Sequence, residues 1–190
     1  MKIFSQNLTN YGIDIPSDVI FRINLAWINN INELKKILTK HNKHKIFLDL
    51  PINRTKPPSN SYSLKEIIHV LNNFSNVKYL AISNVETADD LKKYFEYIPK
   101  NLNIVPKIES PKGVNNIKEI TDILISEHKV VMLDHDDLFS SMLKSNENPI
   151  KFKSYVSNLV NFCEKNNIIL LRTIGVIFGN EEKRTTQYIK

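Results

Sequence analysis

An α/β fold is what this sequence predicts, in the form of a parallel (β/α) barrel that is truncated or minimal. Three observations carry that expectation. Short apolar, β-branched runs alternate with segments of helical period, at spacings of roughly 20 to 30 residues, as repeated βα units with parallel strands require. Polar side chains stand at the C-terminal end of nearly every apolar run, and in a parallel barrel those ends share one face. Seven strand candidates can be counted, where a closed barrel has eight.

The first candidate, Lys2 to Phe4, is the weakest, being short and mixed. Val19 to Ile23, Ile46 to Leu50, Lys78 to Ile82, Ile104 to Ile108, Val130 to Leu133 and Ile168 to Leu171 follow. Most are nearly continuous in Val, Ile, Leu or Phe, the pattern of strands buried on both faces. Between them lie helical stripes: Leu34, Ile37 and Leu38; then Leu64, Ile67, Ile68 and Leu71, opened by Ser63 with Glu66 three residues on as a capping box. Thr87 with Asp90 starts the next helix in a similar way. Ile117, Ile120 and Leu124 line a fourth, and Phe152, Val156, Leu159 and Cys163 a fifth, with Pro149 well placed at its entry. Arg54 to Tyr62, which contains Pro57 and Pro58, is the long loop, and Asp134 to Asp137 is an acidic turn.

At 190 residues, with 42% hydrophobic and 24% charged, the chain has the composition of one globular domain. No run approaches the eighteen or so apolar residues of a membrane span, and Met1 to Tyr11 lacks the pattern of a signal peptide. A cytoplasmic location is the expectation. Cys163 stands alone in an amphipathic stripe and is expected to be a small core residue. The net charge of +6 comes from lysines spread over helix faces, with no dense basic cluster interleaved with aromatics, so nucleic acid is not the expected partner. The positive field favours small anionic ligands instead. The four glycines form no phosphate-cradling loop.

The strand ends carry the functional expectation. Arg22 and Asn24 end the second run, Asp49 the third, Ser83 and Asn84 the fourth, Lys107 and Glu109 the fifth, Asp134 to Asp137 the sixth, Arg172 and Thr173 the seventh. Lys107 and Glu109 are two apart on one strand and point to the same side. Two charges aimed into a barrel mouth are costly unless they serve a ligand, a metal or each other, as a plain Lys107–Glu109 ion pair. His135 could serve as a ligand or base but reads as simply polar, His41, His44, His69 and His128 carry no signal, and Trp27 is expected to pack rather than stack on a ligand.

Six segments, in the same order, resemble the catalytic barrel domain of pyruvate kinase, a TIM-type barrel of the phosphoenolpyruvate/pyruvate-binding superfamily. Ile104 to Ile120 resembles that family's lysine-glutamate strand and following helix, and Met132 to Leu138 its Arg-Gly-Asp-Leu turn. Phe21 to Asn24, Phe47 to Arg54, Tyr79 to Ser83 with Ala88 to Leu91, and Leu170 to Thr173 resemble the remaining motifs. The resemblance implies Glu109 and Asp137 as carboxylates holding Mg²⁺ or Mn²⁺, Lys107 as the cation over the enolpyruvate oxygen, and Thr173 near the proton-transfer position. It implies Arg22 as a phosphate-binding arginine, Arg54 as a further arginine, Asn24 and Asp49 as ligands of a monovalent cation, and Ser83 as a substrate contact.

The departures are as specific. Ala26 stands where the family has a cation-binding serine, which leaves the K⁺ site incomplete. Between Arg54 and Ser63 there is no room for the small nucleotide-closing β domain, and the expectation is a single barrel domain without the family's regulatory domain after Thr173. His135 and Asp136 replace Arg-Gly, so Asp134 and Asp136 compete with Asp137 as metal ligand. The same motifs resemble, more loosely, metal-dependent 2-oxo acid aldolases and the β subunits of citrate lyases. Expected functions are therefore enolate chemistry or phosphoryl transfer on a small 2-oxo acid or phosphoenolpyruvate, carbon-carbon lysis, or ligand binding by a degenerate barrel. A second copy or a partner chain is expected to cover the open barrel edge.

Overall fold

The computed structural model describes residues 1, 3–12, 14–53 and 57–172. Seven strands form one parallel sheet in chain order: β1 (Ile3–Ser5), β2 (Ile20–Asn24), β3 (Lys45–Leu50), β4 (Val77–Ile82), β5 (Asn103–Ile108), β6 (Val130–Leu133) and β7 (Ile169–Arg172). Each lies within one residue of its expected limits, because the apolar runs that must be buried on both faces are themselves the strands. Helices cross between them: α1 (Ile31–Lys40), α2 (Leu64–Asn73), α3 (Asp89–Phe95), α4 (Pro111–Asn115), α5 (Ile117–Asp122), α6 (His135–Lys144) and α7 (Phe152–Lys165). The result is an α/β, barrel-like sheet curled part of the way round. Among the described residues no ladder joins β1 to β7, so it is not a closed eight-stranded barrel.

Local chemistry sets most helix starts. Asn30 accepts the Glu33 N–H ahead of α1, and Ser63 with Glu66 forms the expected capping box ahead of α2, a device worth about 1 kcal/mol. The Asp90 carboxylate gathers the Glu86 and Thr87 N–H groups at 2.9 Å each, yet α3 begins at Asp89, inside the expected Thr87–Asp90 start. The expected stripe from Ile117 is the short α5, which ends at Asp122, and a further short helix, α4, capped by Ser110 with Pro111 at its first position, precedes it.

One correction matters for function. Asp134 to Asp137 is not a turn but the start of α6: Asp134 is its N-cap and accepts the Asp137 N–H at 3.2 Å. Asp136 and Asp137 sit in its first turn, where the helix dipole favours negative charge. Trp27 is another correction, since it is half exposed rather than packed in the core.

The sheet separates two apolar layers. Its outer face packs against the helices through Phe21, Ile23, Ile46, Leu48, Leu80, Ile82, Ile108 and Val131, among others. Its inner face holds Ile20, Phe47, Ala81, Val105, Val130 and Met132. Inner and outer residues alternate along each strand, so two residues beyond Ile20, Phe47, Val105 and Met132 the inner face reaches Arg22, Asp49, Lys107 and Asp134. An apolar floor thus gives way to charge at the C-terminal mouth. Cys163 is buried in the outer layer, and burial pushes its thiol up to about 11. No helix among the described residues is long and apolar enough to cross a membrane.

Candidate functional site

Four neighbouring strands bring their inner side chains to one point in the mouth. Arg22 of β2 pairs with the Asp49 carboxylate of β3. Lys107 of β5 lies 3.2 Å from Asp49 Oδ1 and 2.9 Å from Glu109 Oε1, and it donates to Ser83 Oγ, just past β4, at 3.1 Å. An ammonium has three donors, and here three acceptors meet it. Asp49, Lys107 and Glu109 are all nearly inaccessible to solvent. The plain ion pair expected of Lys107 and Glu109 is present, but it is one link in a longer chain of charges.

Burial sets the baseline for each group, and the neighbours decide the outcome. Burial alone would raise the Asp49 carboxyl, but the charges of Lys107 and Arg22 hold it below the ordinary carboxylate value. Burial works against the Lys107 charge too, yet Asp49 and Glu109 outweigh it and hold the ammonium above its ordinary value. Glu109 goes the other way. Burial pushes it up, and neither Lys107 nor the backbone N–H of Asn84, which donates to Oε2 at 2.7 Å, cancels that push.

The strand register explains the next contact. Ile108 of β5 is level with Leu133 of β6, so the residues that follow, Glu109 and Asp134, leave the sheet side by side. Asp137 arrives from the first turn of α6, and the carboxylate oxygens of Glu109, Asp134 and Asp137 come within 4.8 Å of one another. Burial, and then the Asp137 charge, raise the Asp134 carboxyl above its ordinary value.

This donor set fits a hard divalent cation. It offers anionic oxygens only, as Mg²⁺ or Mn²⁺ prefers. Among the described residues, the mouth gathers the carboxylates Asp49, Glu109, Asp134 and Asp137 with the cations Arg22 and Lys107.

A cleft of about 160 Å³ opens over the site, bordered by Pro51, Asn53, Ser83 and Asn84 on one side and by Lys107, Glu109 and α6 on the other. Asn84 is held in the left-handed region, φ 54°, and its side chain donates to Ile52 O at 2.6 Å. That conformation aims its N–H at Glu109. A larger groove of about 450 Å³ lies between the first 3₁₀ turn, Gln6–Tyr11, and α1, beside Trp27 and His41. None of the strand-end charges lines it.

Of the sequence-derived site residues, Arg22, Asp49, Ser83, Lys107, Glu109 and Asp137 gather in or beside this mouth. Asn24 is used locally, its side chain accepting the Ala26 N–H at 3.0 Å, and Asp49 is taken by two cations. Arg54 and Thr173 lie outside the described residues. Asp136 is exposed, and His135 packs against the edge of Phe152, ring centroids 6.4 Å apart, outside the acidic cluster. Ser140, Ser141 and Lys144 line the cleft and went unnoticed in the sequence. Their signal was helical spacing from Asp137, which is visible only once the acidic stretch is taken as a helix start.

No family model matches the chain, and no curated protein matches it either. Among solved structures it is similar to RipC from Yersinia pestis, with 14% sequence identity and a TM-score of 0.60 over 92% of this chain and 82% of that one. At that identity the likeness shows the fold alone.

Proposed function

We propose that this chain holds Mg²⁺ or Mn²⁺ with Glu109, Asp134 and Asp137, binds a small 2-oxo acid or enolpyruvate beside it, and promotes formation and protonation of the enolate. The observation that carries this reading is the sharing of Glu109 between the acidic cluster and a buried, charged lysine. Pressed between Asp49 and Glu109, Lys107 stays protonated, so it acts as a fixed positive charge and not as an amine nucleophile. A ligand oxygen can replace one of its three acceptors and take up that charge as negative charge develops. Arg22, steadied by Asp49, adds a second positive charge nearby. When bound, the divalent ion supplies Lewis acidity at the oxo acid's oxygens.

Size and composition rank the reactions. The cleft of about 160 Å³ is below the roughly 300 to 1,000 Å³ of sites that enclose drug-sized ligands. With no glycine-rich phosphate loop in the sequence, enolate proton exchange and carbon-carbon lysis are better supported than phosphoryl transfer from a nucleotide.

The test is a proton NMR time course of pyruvate in deuterated water with Mg²⁺ and no nucleotide. Methyl exchange above background is expected, and Lys107→Met should slow it by about 10²-fold, as for loss of one oxyanion donor. Exchange with cleavage of a longer oxo acid would favour the lyase, and exchange with ATP formation from phosphoenolpyruvate and ADP the kinase. Tight oxalate binding without exchange would make the chain a binding module. The absence of both exchange and oxalate binding would overturn the proposal.

A further inference from the structure

Helix α6 presents more than Asp137 to the cleft. Ser140, Ser141 and Lys144 line it as well, and with Asp137 they stand at i, i+3, i+4 and i+7, one continuous stripe of an α-helix. Leu138 and Met142 turn a different side of the same helix into the core. Across the cleft stand Asn53 and Asn84, both in the left-handed region at φ 55° and 54°. Lys107 and Arg22 already answer buried carboxylates, whereas Lys144 forms no ion pair among the described residues.

We infer that the ligand is a 2-oxo dicarboxylate, its oxo-acid end at Glu109, Asp134 and Asp137 and its distal carboxylate at Lys144. This rests on the function proposed above. Asp137 and Lys144 are about seven helical steps apart, a rise of about 10 Å, and the lysine stem and a metal ion take up part of it. What remains is the span of a short carbon chain. The residues along that span end in hydroxyls, amides and charges, with Pro51 the apolar one, and their carbon stems leave the wall mixed in character, so what distinguishes one distal group from another there is the charge of Lys144. A carboxylate can accept from Lys144 and from the Ser141 hydroxyl, whereas the Ser140 hydroxyl already donates to Asp136 O at 2.7 Å. The competing role for Lys144 is purely local, as the last-turn cation that complements the α6 dipole.

The two roles separate by ligand preference. Melting curves at saturating Mg²⁺ are titrated with oxalate, with N-oxalylglycine, which carries a distal carboxylate, and with N-ethyloxamate, which has the same length without it. The wild-type chain is expected to bind N-oxalylglycine about 10-fold more tightly than N-ethyloxamate, the effect of one charge-assisted hydrogen bond. Lys144→Met should erase that ratio and Lys144→Arg should keep most of it. A lysine that only steadies the helix would move both affinities together and leave the ratio unchanged. Equal binding of the two ligands by the wild type, or a ratio that survives in Lys144→Met, overturns the inference. If oxalate binds while the ratio is absent, the inference alone falls. If oxalate does not bind, the proposed function falls and the inference with it.

Discussion

Asp49 and Glu109 are carboxylates in one buried network with opposite electrostatic fates. Asp49 pairs with Arg22 as well as with the shared Lys107 and is held low, whereas Glu109 has its share of Lys107 and faces Asp134, so burial wins and its carboxyl is raised. Without metal, a raised carboxyl favours the fold below its unfolded pKa, and that contribution is lost as pH rises through the folded value. Metal binding has the opposite sign, because the ion needs the ionised form. The Mg²⁺-induced rise in melting temperature is therefore expected to grow as pH climbs through the raised values of Glu109 and Asp134, and to vanish in acid. An ion at 100 times its dissociation constant should add about 2.7 kcal/mol. Glu109→Gln and Asp137→Asn should each abolish that gain, since the isosteres keep shape and lose charge. Asp134→Asn should abolish it too, while keeping its cap on α6 and leaving metal-free melting unchanged or higher, because a crowded charge is removed. A metal effect that persists at low pH, or survives in these variants, would sink the site.

At the scale of elements, strands were legible and α6 was not, for a physical reason. A strand buried on both faces must be apolar at almost every position, as Ile46, Phe47, Leu48 and Leu50 are, so its signal is dense. Helix α6 buries only Leu138 and Met142, while Phe139 and Leu143 remain partly exposed and blur the period. Its acidic first turn imitates a loop. The β5–α4 junction shows the opposite case, where a single glycine is dictated by packing. A Cβ on Gly113 would stand 2.6 Å from the Val85 carbonyl oxygen, and Val85 N–H donates to Lys107 O at 3.1 Å. The 83–85 loop is thus clamped between β5 and α4 as it presents the Asn84 N–H to Glu109. Helix propensity alone would make Gly113→Ala stabilising by about 1 kcal/mol. The clash with backbone should win, giving a net loss of about 1 to 3 kcal/mol and weaker Mg²⁺ binding, although Gly113 is outside the cleft. Urea unfolding and a Mg²⁺ titration check both, and a neutral or stabilised variant would show that the loop yields.

At the scale of the whole molecule, a parallel sheet in sequence order places successive strand ends side by side, which is why Arg22, Asp49 and Lys107, far apart in the chain, meet in one mouth. What composition could not reveal is how many acceptors share Lys107, since that depends on register and on the α6 entry. The edges raise a further question. Among the described residues β1 and β7 are each paired on one side only, and no position of β7 is fully buried, with Ile169 39% exposed. An unpaired edge carrying apolar side chains is a template for association. We expect the 190-residue chain to sediment as a dimer or larger species, in a concentration-dependent way. Ile169→Lys should shift it toward monomer, because a lysine on an edge must be desolvated for a second chain to dock there. The same change should alter monomer stability by only about 0.5 kcal/mol, as expected at a partly exposed position. Sedimentation velocity of both forms decides it: a wild-type chain that remains a 22.1 kDa monomer at high concentration would mean that the edge is covered from within the chain.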